Sequence, residues 1–182
     1  MSVFTNPSGA SAEQQREYGT AVLGLIESRD PLAVLGQTAG HLGVLIQGLT
    51  PEALLKSEAP RKWSITGVVN HLADAELVWG YRLRMVLTAD RPSVVGYDQD
   101  LWAARCQYEQ ADIWAAEQQF VAIRRSNLRI LGLTTEEDFQ RIGIHPARAE
   151  QTLRELMKWW AGHDLLHLRQ VERIRSAVNV HV

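Results

Sequence analysis

Two histidines, His163 and His167, stand four residues apart in WWAGHDLLHLRQVERI, a strongly helical segment that spans residues 159–174. On an α-helix this spacing places both imidazoles on one face, with Cβ atoms roughly 5–6 Å apart. Two ring nitrogens placed in this way can share one metal ion at about 2.0–2.1 Å. The spacing therefore predicts half of a metal site, and further ligands must come from elsewhere in the chain.

The third candidate ligand is His71, in the segment KWSITGVVNHLADAELVWGYRLRMVL. An apolar stripe of helical period places His71 on the core face of this helix, and a similar stripe does the same for His163 and His167. Three imidazoles directed into one interior can surround a divalent ion and leave its other positions open. The alternative is that each histidine is a core residue whose polar atoms are satisfied by a backbone carbonyl or a carboxylate.

Two carboxylates, Asp74 and Asp164, are close to these histidines in sequence. They are candidates to fix the histidine tautomers, because a metal-bound imidazole commonly donates its other N–H to an acceptor. A solvated charge on the helix surface is the alternative for both. The remaining histidines, His41, His145 and His181, have no partner at ligand spacing.

Four long helices have to position these residues. Apolar periodicity and capping signals predict them at about 31–48, 64–87, 109–131 and 152–177. A shorter helix is predicted before them, at about 12–28. Residues 88–110 are too many for the 2–8 that join antiparallel neighbours, so we expect a crossover between the second and third long helices. Residues 141–150 are predicted as a loop, and no segment has a convincing strand pattern. The expected fold is therefore all-α, a four-helix bundle.

The composition fits a single domain over residues 1–182, with its core at about 31–177. This length buries a core without disulfides or structural metals, so a bound metal would be functional. The net charge of -2 gives no electrostatic footprint for nucleic acid, and we interpret Arg124 and Arg125 as a solvated charge pair.

The single cysteine, Cys106, excludes an intramolecular disulfide. With no secretion signal and no apolar run of roughly 18 residues, the chain is predicted to be a soluble cytoplasmic protein with a small-molecule substrate and with neither nucleic acid nor membrane as partner.

Three segments resemble the DinB-like superfamily of bacterial metal-binding four-helix bundles: KWSITGVVNHLADAE, RIGIHPARAEQTLREL and GHDLLHLRQ. The similarity covers about residues 31–177. It implies an up-down-down-up helix order, a homodimer, and a divalent ion, often zinc or nickel, held by His71, His163 and His167. In one departure, Gly67 stands where relatives often carry a glutamate that completes a capping box after the serine at position 64. We expect this departure to cost some helix stability.

Members of the superfamily include transferases that use low-molecular-weight thiols, a thiol-dependent isomerase and suspected hydrolases. The resemblance therefore implies several possible activities. We expect first a metal-dependent transferase that conjugates a small thiol to an electrophile, since neutral ligands leave the full charge on the ion and favour a thiolate in an open position. The first alternative is a hydrolase in which the ion lowers the pKa of a bound water, with Asp74 or Glu76 as the base. The second is a noncatalytic metal-binding module of the stress response.

Overall fold

The computed structural model describes residues 11–146 and 148–179, and most of these residues are helical. The predicted lead-in at residues 1–10 and His181 lie outside the described residues. In chain order the helices and strands are α1 (Ala12–Ile26), α2 (Pro31–Ile46), α3 (Pro51–Leu54), α4 (Ile65–Thr88), α5 (Gln99–Arg105), a 3₁₀ turn (Tyr108–Gln110), α6 (Ile113–Leu131), a second 3₁₀ turn (Asp138–Gln140), β1 (Ile142–His145), β2 (Ala149–Thr152) and α7 (Leu153–Asn179).

The four long helices α2, α4, α6 and α7 confirm the predicted bundle. Each begins where a polar side chain accepts from the first free N–H groups, as Asp30 does for α2 and Asp112 does for α6. The predicted capping box before α7 is present, since Thr152 N donates to Glu155 Oε2 at 2.8 Å and Glu155 N donates to Thr152 Oγ1 at 3.2 Å. The third long helix begins at Ile113, later than predicted, because a separate 3₁₀ turn precedes it.

Helices α4 and α6 run parallel to each other. Arg124 of α6 hydrogen bonds to Glu76 of α4, and farther along both helices Arg84 of α4 donates to Asn127 of α6 at 2.8 Å. The contacts advance in the same direction along both helices, so the chain must return between them. The predicted crossover is this connection, and it contains α5 and the first 3₁₀ turn.

Helix α7 runs antiparallel to α4. Trp79 of α4 stacks on Trp160 of α7, with ring centroids 5.9 Å apart. His71 lies about two turns before Trp79, and its ring is 4.7 Å from that of His167, about two turns after Trp160. The order of contacts is therefore reversed between the two helices.

Helix α7 runs parallel to α2, the first long helix. His41 of α2 lies 3.4 Å from Glu172 of α7, and Arg175, one turn later, donates to the carbonyl of Leu45. Helices α2 and α7 thus point one way and α4 and α6 point the other way. This is the up-down-down-up order that the resemblance implies. Helix α1 packs on the outer side of α7.

The end of the crossover docks on the N-terminus of α4. Glu109 accepts a hydrogen bond from Ser64 N at 3.1 Å and another from the Ser64 hydroxyl. Gly67 N donates to Ser64 Oγ at 3.1 Å. A Cβ at Gly67 would lie 2.5 Å from Glu109 Oε1. Glu109 therefore supplies a carboxylate to this cap from a distant segment, in the space that a side chain at Gly67 would need. The expected cost in helix stability remains a prediction.

A β-hairpin precedes α7, so the prediction that residues 141–150 form a loop is wrong. Strands β1 and β2 pair antiparallel, from Ile142 opposite Thr152 to His145 opposite Ala149. The crossover adds a short third segment, in which Ile144 N donates to the carbonyl of Pro92 at 2.8 Å. The pairing was not visible in the sequence because one partner lies about 50 residues away and Gly143 and Pro146 interrupt any alternating pattern.

The core has two apolar clusters, one around Leu72, Phe120 and Leu168 and the other around Leu35, Trp79 and Ala161. On α2, α6 and α7 the buried polar residues lie between the two clusters along the helix, and on α4 they lie where the two clusters meet. These residues are Thr38, His71, Glu76, Arg124, Asn127, His163, Asp164 and His167. The three candidate ligands thus belong to a polar layer inside the bundle. Within the described residues, no helix is long and apolar enough to cross a bilayer.

Candidate metal centre

The structure brings His71, His163 and His167 together, and we call these residues the histidine triad. One ring nitrogen from each lies within 4.8 Å of one from each of the others. The Nε2 atoms of His71 and His163 are 2.9 Å apart. The i, i+4 spacing on α7 and the antiparallel contact with α4 produce this convergence.

All three imidazoles are buried and held in the neutral form. Burial lowers the pKa of His71 and of His163 well below the usual histidine value, and mutual repulsion within the triad adds to the effect. Burial also lowers the pKa of His167 to about 4, although Gln170 and Glu58 oppose the shift. At neutral pH each ring therefore offers a lone pair, which is the form that binds metals.

The hydrogen bonds of the triad fit a divalent ion. Gln170 Oε1 lies 3.0 Å from His167 Nδ1, an arrangement that places the proton on Nδ1 and leaves Nε2 as a donor atom for a metal. Nitrogens at about 2.0–2.1 Å from a tetrahedral ion are roughly 3.3 Å apart, close to the observed separation between His71 and His163. A neutral three-nitrogen set of this kind suits zinc, nickel and similar ions.

The predicted acceptors Asp74 and Asp164 make no hydrogen bond to the other imidazole nitrogens, so that prediction is wrong. Asp74 accepts a hydrogen bond from the Tyr108 hydroxyl at 2.6 Å. Asp164 lies 2.7 Å from Arg124 Nη1. The buried Nδ1 atoms of His71 and His163 have no hydrogen-bond partner among the described residues.

Arg124 forms the centre of a buried ion network beside the triad. Its Nε and Nη2 donate to the two carboxylate oxygens of Glu76 at 3.0 and 2.7 Å. Asn127 and Trp160 also donate to Glu76, at 2.8 and 3.1 Å. Burial alone would lower the pKa of Arg124, but the charges of Asp164 and Glu76 outweigh it and raise the pKa. Since Glu76 is fully engaged, the prediction that it could act as a free base is wrong.

Aromatic rings line the triad on two sides. The Trp63 ring centroid is 4.6 Å from that of His71 and 6.3 Å from that of His167. The Trp79 ring is 6.5 Å from that of His163. Trp63 and Trp79 thus line the site, while Trp160 is a core residue that also hydrogen bonds to Glu76.

Three further residues near the triad were not predicted as site residues: Arg82, His145 and Arg148. His145 is buried in β1, and burial together with Arg148 and Arg82 lowers its pKa to about 3. Arg82 did carry a signal, because it continues the apolar stripe of α4 as a charged residue. Arg148 carried none, since its position depends on the hairpin turn that the sequence did not reveal.

Comparison with known proteins places this arrangement in a family. The model of the DinB superfamily matches residues 35–171. A relative from Oceanobacillus iheyensis, named "Putative metal-dependent hydrolase OB0413", is 28% identical over 72% of this chain and 76% of its own length. A "Putative metal-dependent hydrolase" from Geobacillus thermodenitrificans is 27% identical over 97% of this chain and 92% of its own.

A solved structure shares the fold. YfiT from Bacillus subtilis, described as a probable metal-dependent hydrolase with an unusual four-helix bundle topology, superimposes with a TM-score of 0.77. The match covers 97% of this chain and 94% of YfiT at 19% sequence identity. The likeness supports the helix order that the contacts give.

Proposed function

The chain belongs to the DinB superfamily, and from this premise and the convergence of its histidine triad we propose that it is a metal-dependent hydrolase. The observation that carries the proposal is the approach of three buried, neutral imidazoles from two distant parts of the sequence. The relatives named as metal-dependent hydrolases support the choice of reaction class.

The triad would hold the ion through one nitrogen of each ring. When bound, a divalent ion supplies Lewis-acid activation of a nucleophile or of a substrate carbonyl or phosphoryl oxygen. Gln170 orients the ring of His167 by accepting from Nδ1. The ion pairs of Arg124 with Glu76 and Asp164 join α6 to α4 and α7, and so keep the two helices that carry the triad at a fixed distance.

Asp74 is the candidate to move a proton in this reaction. It lies one helical turn after His71 and is half-buried, and the Tyr108 hydroxyl donates to its Oδ2 at 2.6 Å. Its carboxylate retains acceptor capacity, because an ionised carboxylate has about four lone-pair sites. Burial and the hydrogen bond to Asp74 raise the pKa of Tyr108, so the phenol stays protonated and continues to donate to the carboxylate.

Thiol transfer is the second candidate, and the arrangement of carboxylates favours it. Glu76 and Asp164 are both occupied by Arg124, which leaves Asp74 as the carboxylate near His71 with acceptor capacity. A small thiol bound to an ion ionises readily, so transfer of that thiol to an electrophile depends less on a protein base than hydrolysis does.

Metal binding is tested with His163→Ala and with the matched control His41→Ala. His41 is a half-exposed histidine of α2 that pairs with Glu172 on the surface. We expect the wild type and the control to hold about one zinc or nickel ion per chain by elemental analysis, and His163→Ala to hold far less. A metal content in His163→Ala equal to that of the control would overturn the proposed site.

Activity is tested on chromogenic carboxylic esters, amides and phosphoesters, with the metal content measured in the same samples. We expect hydrolysis without any thiol, and a reduction of at least tenfold in Asp74→Asn with its metal retained. Turnover of epoxides or activated halides that depends on an added thiol would assign the second candidate instead. If loaded protein does neither, the proposal of an enzyme fails and a noncatalytic metal-binding module takes its place.

A homodimer remains a prediction, which sedimentation of the same samples tests.

A further inference from the structure

Two arginines close to the triad have no carboxylate partner among the described residues. Arg82 of α4 is buried, and its guanidinium lies 4.7 Å from the ring of Trp79, which in turn is 6.5 Å from the ring of His163. Arg148, in the turn between β1 and β2, lies 4.4 Å from the ring of Trp159, which precedes His163 by one helical turn. The charges of both arginines act on His163 and on His145, so two separate elements bring positive charge close to the triad.

The partners that these arginines do have are uncharged. Arg82 donates from Nε and Nη2 to a single acceptor, the carbonyl of Val95, at 3.2 and 2.7 Å. Arg148 donates from Nε to the amide oxygen of Gln151 at 2.9 Å, while its Nη2 is buried with no hydrogen-bond partner in the described part of the chain. Because a guanidinium has five N–H groups, both side chains keep donors for another acceptor.

Other arginines of the chain show what a satisfied guanidinium looks like. Arg124 is buried against two carboxylates, those of Glu76 and Asp164. Arg175 donates to carbonyls at the C-terminal end of α2, where the helix carries partial negative charge. A buried charge without such a counterpart is costly, so its retention beside a candidate site indicates a ligand that supplies the missing charge.

The electrostatics agree with this geometry. Burial lowers the pKa of Arg82 to about 10, and burial together with the charge of Arg82 lowers the pKa of Arg148 to about 10. Both groups therefore remain cationic at neutral pH and repel one another. His145, buried next to them, is held neutral, so it adds no third positive charge. An anion between the two guanidiniums would relieve their repulsion.

We propose that Arg82 and Arg148 form an oxyanion-binding site for a carboxylate or phosphate group of the substrate. The assignment rests on the proposed function, and it adds that the substrate is acidic, with its anionic group a few bonds from the group that reacts at the triad. Paired guanidinium donors bind such groups in a defined orientation, which would place the reacting bond.

The test is calorimetric titration of metal-free protein with two probes, inorganic phosphate and acetate, at constant ionic strength. Acetamide serves as the neutral analogue of acetate. We expect at least one of the two anions to bind, with an affinity roughly tenfold to a hundredfold lower in Arg148→Gln, and acetamide not to bind. Binding of phosphate alone indicates a phosphorylated substrate, and binding of acetate alone a carboxylate substrate. If neither anion binds the wild type, or if Arg148→Gln binds as tightly, the proposal is overturned.

The matched control is Arg154→Gln. Arg154 also stacks on an aromatic ring, Phe139 at 4.8 Å, but it is paired with the carboxylate of Glu136. We expect this variant to bind anions like the wild type, and the charge-conserving Arg148→Lys to retain part of the affinity, which separates loss of charge from loss of folding. Anion binding that survives in His163→Ala, while metal is lost, shows that the two sites can be tested independently.

Discussion

At the scale of single residues, the orientation of each imidazole depends on its second ring nitrogen. His167 is the member of the triad whose Nδ1 has a hydrogen-bond partner among the described residues, the side chain of Gln170. We expect Gln170→Leu to weaken zinc binding about tenfold, because loss of the outer partner of a ligand typically costs 10–100-fold in affinity. Competition with a chromogenic chelator measures this.

The control for that variant is Gln118→Leu, on the exposed side of α6. It should leave the zinc affinity unchanged. Equal affinities for Gln170→Leu and Gln118→Leu would mean that core packing alone orients His167.

Glu76 lies near the triad, but its role is structural. We expect Glu76→Gln to lower the free energy of unfolding by about 3–5 kcal/mol, because it leaves Arg124 buried without its bidentate carboxylate. The exposed pair of Glu136 with Arg154 gives the control, and Glu136→Gln should cost no more than about 1 kcal/mol. Denaturant unfolding measures the loss of stability in both variants. A small loss for Glu76→Gln would contradict the role of the ion network.

Single residues could be placed on the correct helix face from sequence, but their partners could not be identified. Periodicity directed His71, His163 and His167 into the core, where the structure has them. The interpretation of Arg124 as a solvated charge was wrong, because it is 1% exposed. Periodicity reports which face a residue occupies, whereas the carboxylates that make burial of Arg124 acceptable come from two other helices.

At the scale of elements, the N-terminus of α4 depends on a glycine. We expect Gly67→Ala to lower the free energy of unfolding by about 1 kcal/mol, although alanine is the better helix former, because its methyl group would displace the Glu109 carboxylate from Ser64. Gly40→Ala is the control, since a methyl group there meets nothing within 4 Å, and it should stabilise by about 0.5–1 kcal/mol. Thermal and denaturant unfolding measure both, and opposite signs are the expected result.

Helix positions were largely predictable, because caps and apolar stripes are local signals. The capping box of Thr152 and Glu155 marked the start of α7. The hairpin is local, but Gly143 and Pro146 interrupt its alternating pattern. The docking of Glu109 on Ser64 and the contact of Pro92 with β1 join segments far apart in sequence, and local patterns carry no information about them. The errors in the prediction therefore concentrate in the connections.

At the scale of the whole molecule, α1 is attached to the bundle where two backbones come very close. A methyl group at Gly162 would overlap the carbonyl of Val22, so Gly162→Ala must push α1 away from α7. We expect faster hydrogen exchange across α1 and little change in α4, because the three atoms nearest to the added methyl group all belong to Val22 of α1. Gly24→Ala, with open space around its new methyl group, should leave exchange elsewhere in α1 unchanged. Equal hydrogen-exchange rates of α1 in Gly162→Ala and in the wild type would contradict this close approach.

The helix order of the whole molecule was implied by resemblance, with the long connection after α4 as its one independent sign. The structure explains why this order suits a site. Because α4 and α7 are antiparallel neighbours, His71 meets the space between His163 and His167 at mid-height of the bundle. The two apolar clusters then flank that layer.

The carboxylate beside Ser64 comes from the distant Glu109 and not from position 67, and this has an evolutionary consequence. Positions 67 and 109 compete for the same small volume beside Ser64, so only one of them can carry the acidic group. Across an alignment of homologues the two positions should co-vary: glycine at the first with glutamate at the second, or glutamate at the first with a neutral residue at the second. Lineages that hold glutamate at both would have to have moved the crossover away from the helix.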